Sequence, residues 1–449
     1  MTPLDVCEDL VQRARRGGAE ESEAFFGDHT TSTIDVRDQA VESLVSATRR
    51  GVGVRVLVAG ATGYAYTTDL SSEALDEVVG IAVRLAREAT SDPLRGLPDI
   101  DRLDGRDLQI FDSTLPQAST EEKIELLRRT ERAAREADPR VADTDMARYV
   151  DSYGATALAN SRGLGGSYQS SSCYALVSVI ARAGEEAQRG YGYTFGHGLE
   201  VLSPSDAGER AAYRAVATLG GKKVPTQKTT VILEPEVAAE LLGHVAGALS
   251  AEAIIKGRSM FLGKEGQSVA ASVVTLVDQG DRVRGLGSMP FDGEGVPTGR
   301  TELLRDGTLA GWLHNSFTAR RLGGRSTGNA VRPSFRGAPG VGPTNLLLEP
   351  GTQSPEQLRS GVRSGLQVIL SKNVGGINSV SGDYSVGASG LWIENGEVAH
   401  PVSQVTIAST MLEMLQNVTA VGSDLRWIPG GGVVGTGTLH IANMTVGGA

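Results

Sequence analysis

Thr229-Thr-Val-Ile-Leu233, followed at once by Pro235-Glu-Val-Ala-Ala-Glu-Leu-Leu-Gly-His-Val-Ala-Gly-Ala-Leu249, is the stretch from which the rest of the chain can be read. The β-branched run predicts a strand. Proline suits the first helical position, because its missing N–H would be unpaired there anyway, and Glu236 complements the positive end of the helix dipole. Val237, Leu241, Val245 and Leu249 recur every four residues and predict one buried stripe, with Ala248 beside it. Glu240, Gly243 and Gly247 fall on another face. His244 sits at the edge of the stripe, four residues after Glu240, so the spacing predicts a hydrogen-bonded pair on the helix surface.

Upstream of this point helices alternate with strands. Leu4 to Arg16 reads as an amphipathic helix stopped by Gly17-Gly18, and Leu75 to Ala86 as a second behind Ser71-Ser72. Ser119-Thr-Glu-Glu122 is a capping box that opens a third over Lys123–Ala137, and Ser203-Pro-Ser-Asp206 caps a fourth. Phe25 to Arg37 and Val52 to Val58 alternate as strands, and Val141 to Val201 reads as a hairpin meander. Between them lies the polar, proline-containing stretch Ser91–Pro116.

Downstream, short strands are expected at 272–277, 299–306, 308–313, 366–370, 390–393 and 436–441, with one late helix around Leu412, Leu415 and Val418. Edges of so many strands must be hidden, which predicts a semi-closed, barrel-like sheet. The expected architecture is therefore α+β in two domains: residues 1–221, an antiparallel sheet with flanking helices, and residues 227–449, mainly β and carrying the helix 235–250. Gly220-Gly-Lys-Lys-Val-Pro-Thr226 is the candidate linker.

A length of 449 residues allows two or three domains with separate cores. Glycine, at 58 residues, is about twice its usual share and spread along the chain, which points to many tight turns. A net charge of -10 argues against a direct nucleic-acid binder, since neutralising phosphates needs a basic surface. The first residues, Met1-Thr-Pro-Leu-Asp-Val-Cys-Glu-Asp-Leu10, place acids where a signal peptide needs a basic region, and no apolar run approaches the ~20 residues of a membrane span. Cys7 and Cys173 stand far apart and suggest neither a disulfide framework nor a metal site. The expectation is a cytoplasmic protein without membrane contact.

Motifs that carry chemistry are sparse. Gly430-Gly-Gly-Val-Val-Gly435 has dinucleotide-loop spacing but precedes a strand, not a helix. The six histidines are scattered singly, and the 235–250 helix has one histidine where a zinc-peptidase helix would carry two with a glutamate beside the first. Asp292 and Glu294, in Phe291-Asp-Gly-Glu-Gly295, offer two carboxylates for acid–base work or a cation, although turn chemistry explains them equally well. The polar loops Ser381–Ser385 and Gly323–Arg332 have the composition of segments that contact a peptide or ligand backbone.

Pro290-Phe-Asp-Gly-Glu-Gly-Val-Pro-Thr298, Leu309-Ala-Gly-Trp-Leu-His-Asn-Ser-Phe-Thr-Ala-Arg320, Ser326-Thr-Gly-Asn-Ala330, Val380-Ser-Gly-Asp-Tyr-Ser385, Trp392-Ile-Glu-Asn-Gly396 and Pro401-Val-Ser-Gln-Val-Thr-Ile-Ala408 together resemble the TldD/PmbA family. The resemblance implies a two-domain subunit of a dimer, whose TldD-type member is a zinc peptidase that trims unfolded peptides in a closed cavity. The TldD-type helix carries His-Glu-x-x-x-His, and a cysteine near the C-terminus adds a ligand. Here Gly243 and Ala248 stand where the histidines belong, His244 where the glutamate belongs, and Gly435–Ile441 holds no cysteine. This pattern is similar to the PmbA (TldE) branch, which lacks the zinc site.

The expected role is thus a non-catalytic subunit that binds no zinc itself, pairs with a TldD-like zinc subunit and helps hold an unfolded peptide. Expected cleft residues are His244, Asp292, Glu294, Asn329, Arg332, Asp383 and Tyr384. The alternative is a self-associating member with peptide-binding or non-peptidase chemistry. A gyrase-modulator role, after which the family is also named, would be indirect.

Overall fold

Each helix of the N-terminal half starts where its sequence supplies a cap. In α1 (Pro3–Arg16) the Thr2 hydroxyl accepts the Asp5 N–H, and the Asp5 carboxylate accepts the Thr2 N–H, the reciprocal arrangement that satisfies two otherwise unpaired donors. The computed structural model describes every residue except Asp101, Arg102, Asp104, Asn373, Gly431 and Ala449. Parts of the Ser91–Pro116 stretch and of the Gly430–Gly435 run therefore lie outside the described residues.

Strands β1 (Glu21–Arg37), β2 (Ala40–Val58) and β3 (Ala61–Thr67) lead to α2 (Ser72–Glu88) and α3 (Thr120–Ala137). Then come β4 (Val141–Asn160), β5 (Gly165–Ala183), β6 (Glu186–Gly196) and α4 (Pro204–Val216). The strands form one antiparallel sheet in the order β3-β2-β1-β4-β5-β6. Alternation assigns its faces. Ala24, Phe26, Val52, Val54 and Ala157 are buried with α1 and α2, and Ile34, Tyr149, Cys173, Ala175 and Val177 with α3 and α4, so the helices share one face. His29, Thr31, Ser152, Ser172 and Tyr174 have the opposite parity and look out from the other face. Strand β2 begins earlier than the expected Val52 because its first half, Ala40–Arg50, pairs with β1 while burying nothing. A pattern search keyed to buried residues sees only the second half.

The C-terminal half runs β7 (Gln227–Leu233), α5 (Pro235–Ala248), α6 (Ala251–Ile255), β8 (Leu276–Gln279), β9 (Arg300–Arg305), β10 (Thr308–Leu309), α7 (Ser316–Leu322), β11 (Ala330–Val331) and β12 (Gly340–Val341). It ends with β13 (Asn345–Leu348), α8 (Pro355–Ser360), β14 (Ser364–Lys372), β15 (Asp383–Glu394), β16 (Glu397–Thr410), α9 (Met411–Gln416), β17 (Val418–Val421), β18 (Arg426–Gly430), β19 (Gly432–Thr436) and β20 (Leu439–Gly447). Strands β16-β15-β14-β7-β20 pair in sequence and β20 pairs back to β16, closing a five-stranded barrel. Closure through Thr406–Ala408 of β16 and Thr445–Gly447 of β20 hides part of the outer edges, which bears out the expected barrel-like sheet and the α+β class. A second sheet has the order β10-β9-β8-β13-β19-β18. Helix α5 is buried with both: Val237, Leu241 and Val245 share one core with Val231 and Leu366 of the barrel and Leu276 and Leu346 of the second sheet.

Three expected strands are corrected. The 436–441 run splits because Asp424 accepts both the Thr438 N–H (2.9 Å) and its hydroxyl (2.8 Å), holding a turn between β19 and β20. The 308–313 run stops at Leu309; Leu313 instead donates its N–H to Leu249 O (3.0 Å) at the end of α5. The 272–277 run is a turn as far as Thr275, closed by Val274 N–H to Ala271 O (2.9 Å), and the strand starts at Leu276.

The two halves meet along residues 332–336. Tyr64 donates its hydroxyl to Phe335 O (2.7 Å), and the Phe335 ring lies over β2. A β-carbon at Gly51 would stand 2.5 Å from that ring, so only glycine permits the approach.

Candidate functional site

Nearly all of α5 is buried; Glu240, Gly243, His244 and Gly247, one face at helical spacing, are not. Glu240, Gly243 and His244 floor a cleft of about 820 Å³. Tyr174 of β5 and Tyr191 and Tyr193 of β6 form one wall, and Ile428, Pro429 and Val434 the other. The tyrosine wall is tied to the helix through Arg214 of α4. Its guanidinium lies 4.8 Å from the Tyr191 ring centre, donates to Tyr191 O (2.8 Å) and pairs with Glu236 in the first turn of α5. Arg214 and Glu236 are both buried, so this pair resists screening and locks wall to floor.

The expected Glu240–His244 hydrogen bond does not form. Ser371 on β14 donates its hydroxyl to Glu240 Oε2, while His244 Nδ1 faces the Ser379 hydroxyl at 3.5 Å. Spacing on a helix says which side chains can meet; here a neighbouring strand captures the carboxylate first. Glu240 Oε1 and the Tyr384 hydroxyl are both buried without a hydrogen-bond partner among the described residues. Burial and then the Glu240 charge push the Tyr384 phenol up from its ordinary range. Asp383, next to it, is exposed and accepts the Ser381 hydroxyl (2.5 Å).

The other expected residues lie elsewhere. Asp292, Glu294 and Arg332 sit at the junction of the two halves, in a buried cluster with Glu23 of β1 and Arg55 of β2. Arg55 bridges Glu23 (3.0 Å) and Glu294 (3.1 Å), and Arg332 pairs with Glu23 and donates to Gly293 O (2.6 Å). Asn329 is buried and ties loops together, donating to Asp278 Oδ2 (2.6 Å) and Gly342 O (3.1 Å). The sequence reading brought none of the three wall tyrosines forward. Their signal is the alternation of β5 and β6, usable only once the uncovered face of the sheet is known.

Asp292 accepts N–H groups from Glu294, Val296 and Ala330, yet burial, and then the Glu294 charge, raise its carboxyl to about 7. A carboxyl whose folded pKa lies above its unfolded value binds more protons when folded, so the stability it contributes falls as pH rises from about 4 to about 7. The difference in unfolding free energy between the natural protein and Asp292→Asn should therefore decline across that window in urea titrations. A flat difference would show that the carboxyl ionises normally.

Three family models together cover most of the chain: the PmbA/TldA metallopeptidase domain 1 at residues 22–86, the central domain at 113–219 and the C-terminal domain at 226–448. The chain is 33% identical over 428 residues to Metalloprotease PmbA of Escherichia coli O157:H7, covering 94% of this chain and 92% of that one.

The chain belongs to the PmbA/TldD family.

Within that family, the PmbA homolog of Haemophilus influenzae is 30% identical, covering 98% of this chain and 94% of its own. A solved Thermotoga maritima MSB8 structure, named as a proposed modulator of a DNA gyrase, superposes with a TM-score of 0.89 at 27% identity, covering 98% of both chains. TldE from Thermococcus kodakarensis shares the fold, with a TM-score of 0.90 at 22% identity over 98% of this chain and 99% of that one.

PmbA/TldD relatives carry the name metalloprotease, which makes zinc the ion that the cleft floor would have to hold. The donor set does not fit. A tetrahedral site needs three or four nitrogen, sulfur or carboxylate ligands. Among the described residues no cluster of three His, Cys, Asp or Glu side chains is placed to hold a metal. On the floor itself Gly243 has no side chain, Ala248 faces the core, and Glu240 is engaged by Ser371. Cys7 and Cys173 are buried in the N-terminal half with their thiols pushed up to about 12, far from the thiolate form a metal requires. Among the described residues no helix is long and apolar enough to cross a membrane.

Proposed function

We propose that this chain is the TldE-like, non-catalytic subunit of a two-component cytoplasmic metallopeptidase, with zinc held by a TldD-like partner. One observation carries the reading: the helix face that floors the cleft presents Glu240, Gly243 and His244 to the space where a peptidase needs a metal and its activating base. Gly243 and Ala248 offer a hydrogen and a methyl where the resemblance places the two histidines, and His244 stands where it places the glutamate. The tyrosine and proline walls still suit an extended, unfolded peptide, because aromatic faces supply contact area without demanding one side-chain sequence.

Light scattering tests the assembly. Mixing this protein with a TldD-like subunit should produce a stable complex of one chain each, with an interface on the order of 2,000 Å² or more. A monomer at micromolar concentration that ignores the TldD-like chain would contradict the reading. The self-associating alternative predicts a homodimer in the same measurement.

A further inference from the structure

On the uncovered face of the N-terminal sheet, away from the cleft, a second pocket of about 520 Å³ opens against residues 332–336. Its cationic members are Arg49 of β2 and Arg336, with His29 of β1 beside them. Among the described residues neither arginine meets a carboxylate; Arg336 instead stacks near Tyr66 and Phe335, 5.9 Å and 5.8 Å from the ring centres. Arg332, at the base, is already neutralised by Glu23. Hydroxyls line the floor: Thr156 bonds His29 Nε2 at 3.2 Å, and Thr31 donates to Ser152 at 3.3 Å. Among the described residues no carboxylate lines the pocket, and its walls are the aromatic rings of Phe25, Tyr168 and Phe335.

We infer that this pocket captures the C-terminal carboxylate and last side chain of an extended peptide whose upstream residues lie in the tyrosine-walled cleft. Two guanidiniums that meet no carboxylate among the described residues match a carboxylate or phosphate in planar, paired hydrogen bonds. A free phosphate would leave the aromatic walls unused, whereas a terminal residue presents an anion and an apolar side chain together. Register supports the connection. Thr31 pairs with Ser152 and Ser152 with Ser172, and Tyr174 of the cleft wall stands two residues further along β5 on the same face. Two strand spacings and two residues amount to about 12 Å, which roughly four extended residues span. Ser172, between the two pockets, is exposed, so the path is open.

The inference rests on the peptide-holding role, and the test separates the two. A fluorescein-labelled unstructured octapeptide ending in Leu, made as free acid and as C-terminal amide, is titrated by anisotropy into the protein together with any subunit that co-purifies. The free acid should bind about tenfold or more tightly than the amide, as expected for a hydrogen-bonded charge. Arg49→Gln, an exposed change on a strand edge, should reduce the preference, and Arg49→Gln with Arg336→Gln should abolish it. Equal binding of acid and amide would overturn the inference and leave the peptide-holding role standing. Equal binding with displacement of both by millimolar inorganic phosphate would overturn it in favour of a phosphoryl anion. Binding of neither form would overturn both.

Discussion

Replacing Glu23 with Ala should lower the unfolding free energy by about 3–5 kcal/mol, because it leaves the Arg55 and Arg332 guanidiniums buried without their shared carboxylate. Glu23 and the Arg332 side chain are almost wholly enclosed, so water cannot easily take the vacated place. The loss should extend beyond one site. Arg332 leads directly into the segment that seats Phe335 on Gly51, and both oxygens of Glu294, the other partner of Arg55, are already engaged, by Arg55 and by the Ser316 N–H. Urea unfolding followed by circular dichroism reads the change. A loss below about 1 kcal/mol would mean that the cluster is solvated and that packing alone joins the halves.

Rebuilding the family's helix motif with Gly243→His, His244→Glu and Ala248→His should yield a less stable protein with no peptidase activity of its own. A β-carbon at Gly243 meets nothing within 4 Å, so histidine there fits and gains up to about 1 kcal/mol of helix propensity. Ala248 is different. It is buried in the core around α5, and its carbonyl accepts the Ser259 hydroxyl (2.6 Å), so an imidazole overpacks the site at about 1–3 kcal/mol. Two imidazoles, one of them turned into the core, lack the further ligand and the orienting partners that a zinc centre needs. Thermal unfolding and a chelator-controlled assay on an unstructured peptide check both parts. Chelator-sensitive cleavage by the triple variant alone would mean that ligands elsewhere in this chain complete a site.

What the sequence reveals and what it hides follow from the range of the interactions. Helix α5 is legible because its start, its stripe and its open face are set by residues within four positions of one another. Barrel closure is foreseen only as a need to hide edges; which strands close it depends on the pairing of Ile407 with Val446, set by the whole chain. The cleft floor residue His244 is legible by spacing, but its partner is not, since Ser371 reaches Glu240 from 131 residues away. Asp292, Glu294 and Arg332 stand out in sequence as a polar, glycine-rich pattern; that Glu23, 309 residues before Arg332, completes them is invisible until the halves are packed together. The tyrosine wall hides for a related reason. Alternation shows that Tyr174, Tyr191 and Tyr193 share a side of their strands, while the positions of α3 and α4 decide that this side is the uncovered one.

The most direct measurement of the central claim is the zinc content of the tag-free protein, by elemental analysis, alone and after assembly with a TldD-like subunit, alongside cleavage of an unstructured peptide. The account predicts essentially no zinc and no cleavage for this chain alone, and about one zinc per assembled pair with cleavage that a chelator removes. About one zinc per chain in the isolated protein, with chelator-sensitive cleavage, would contradict it.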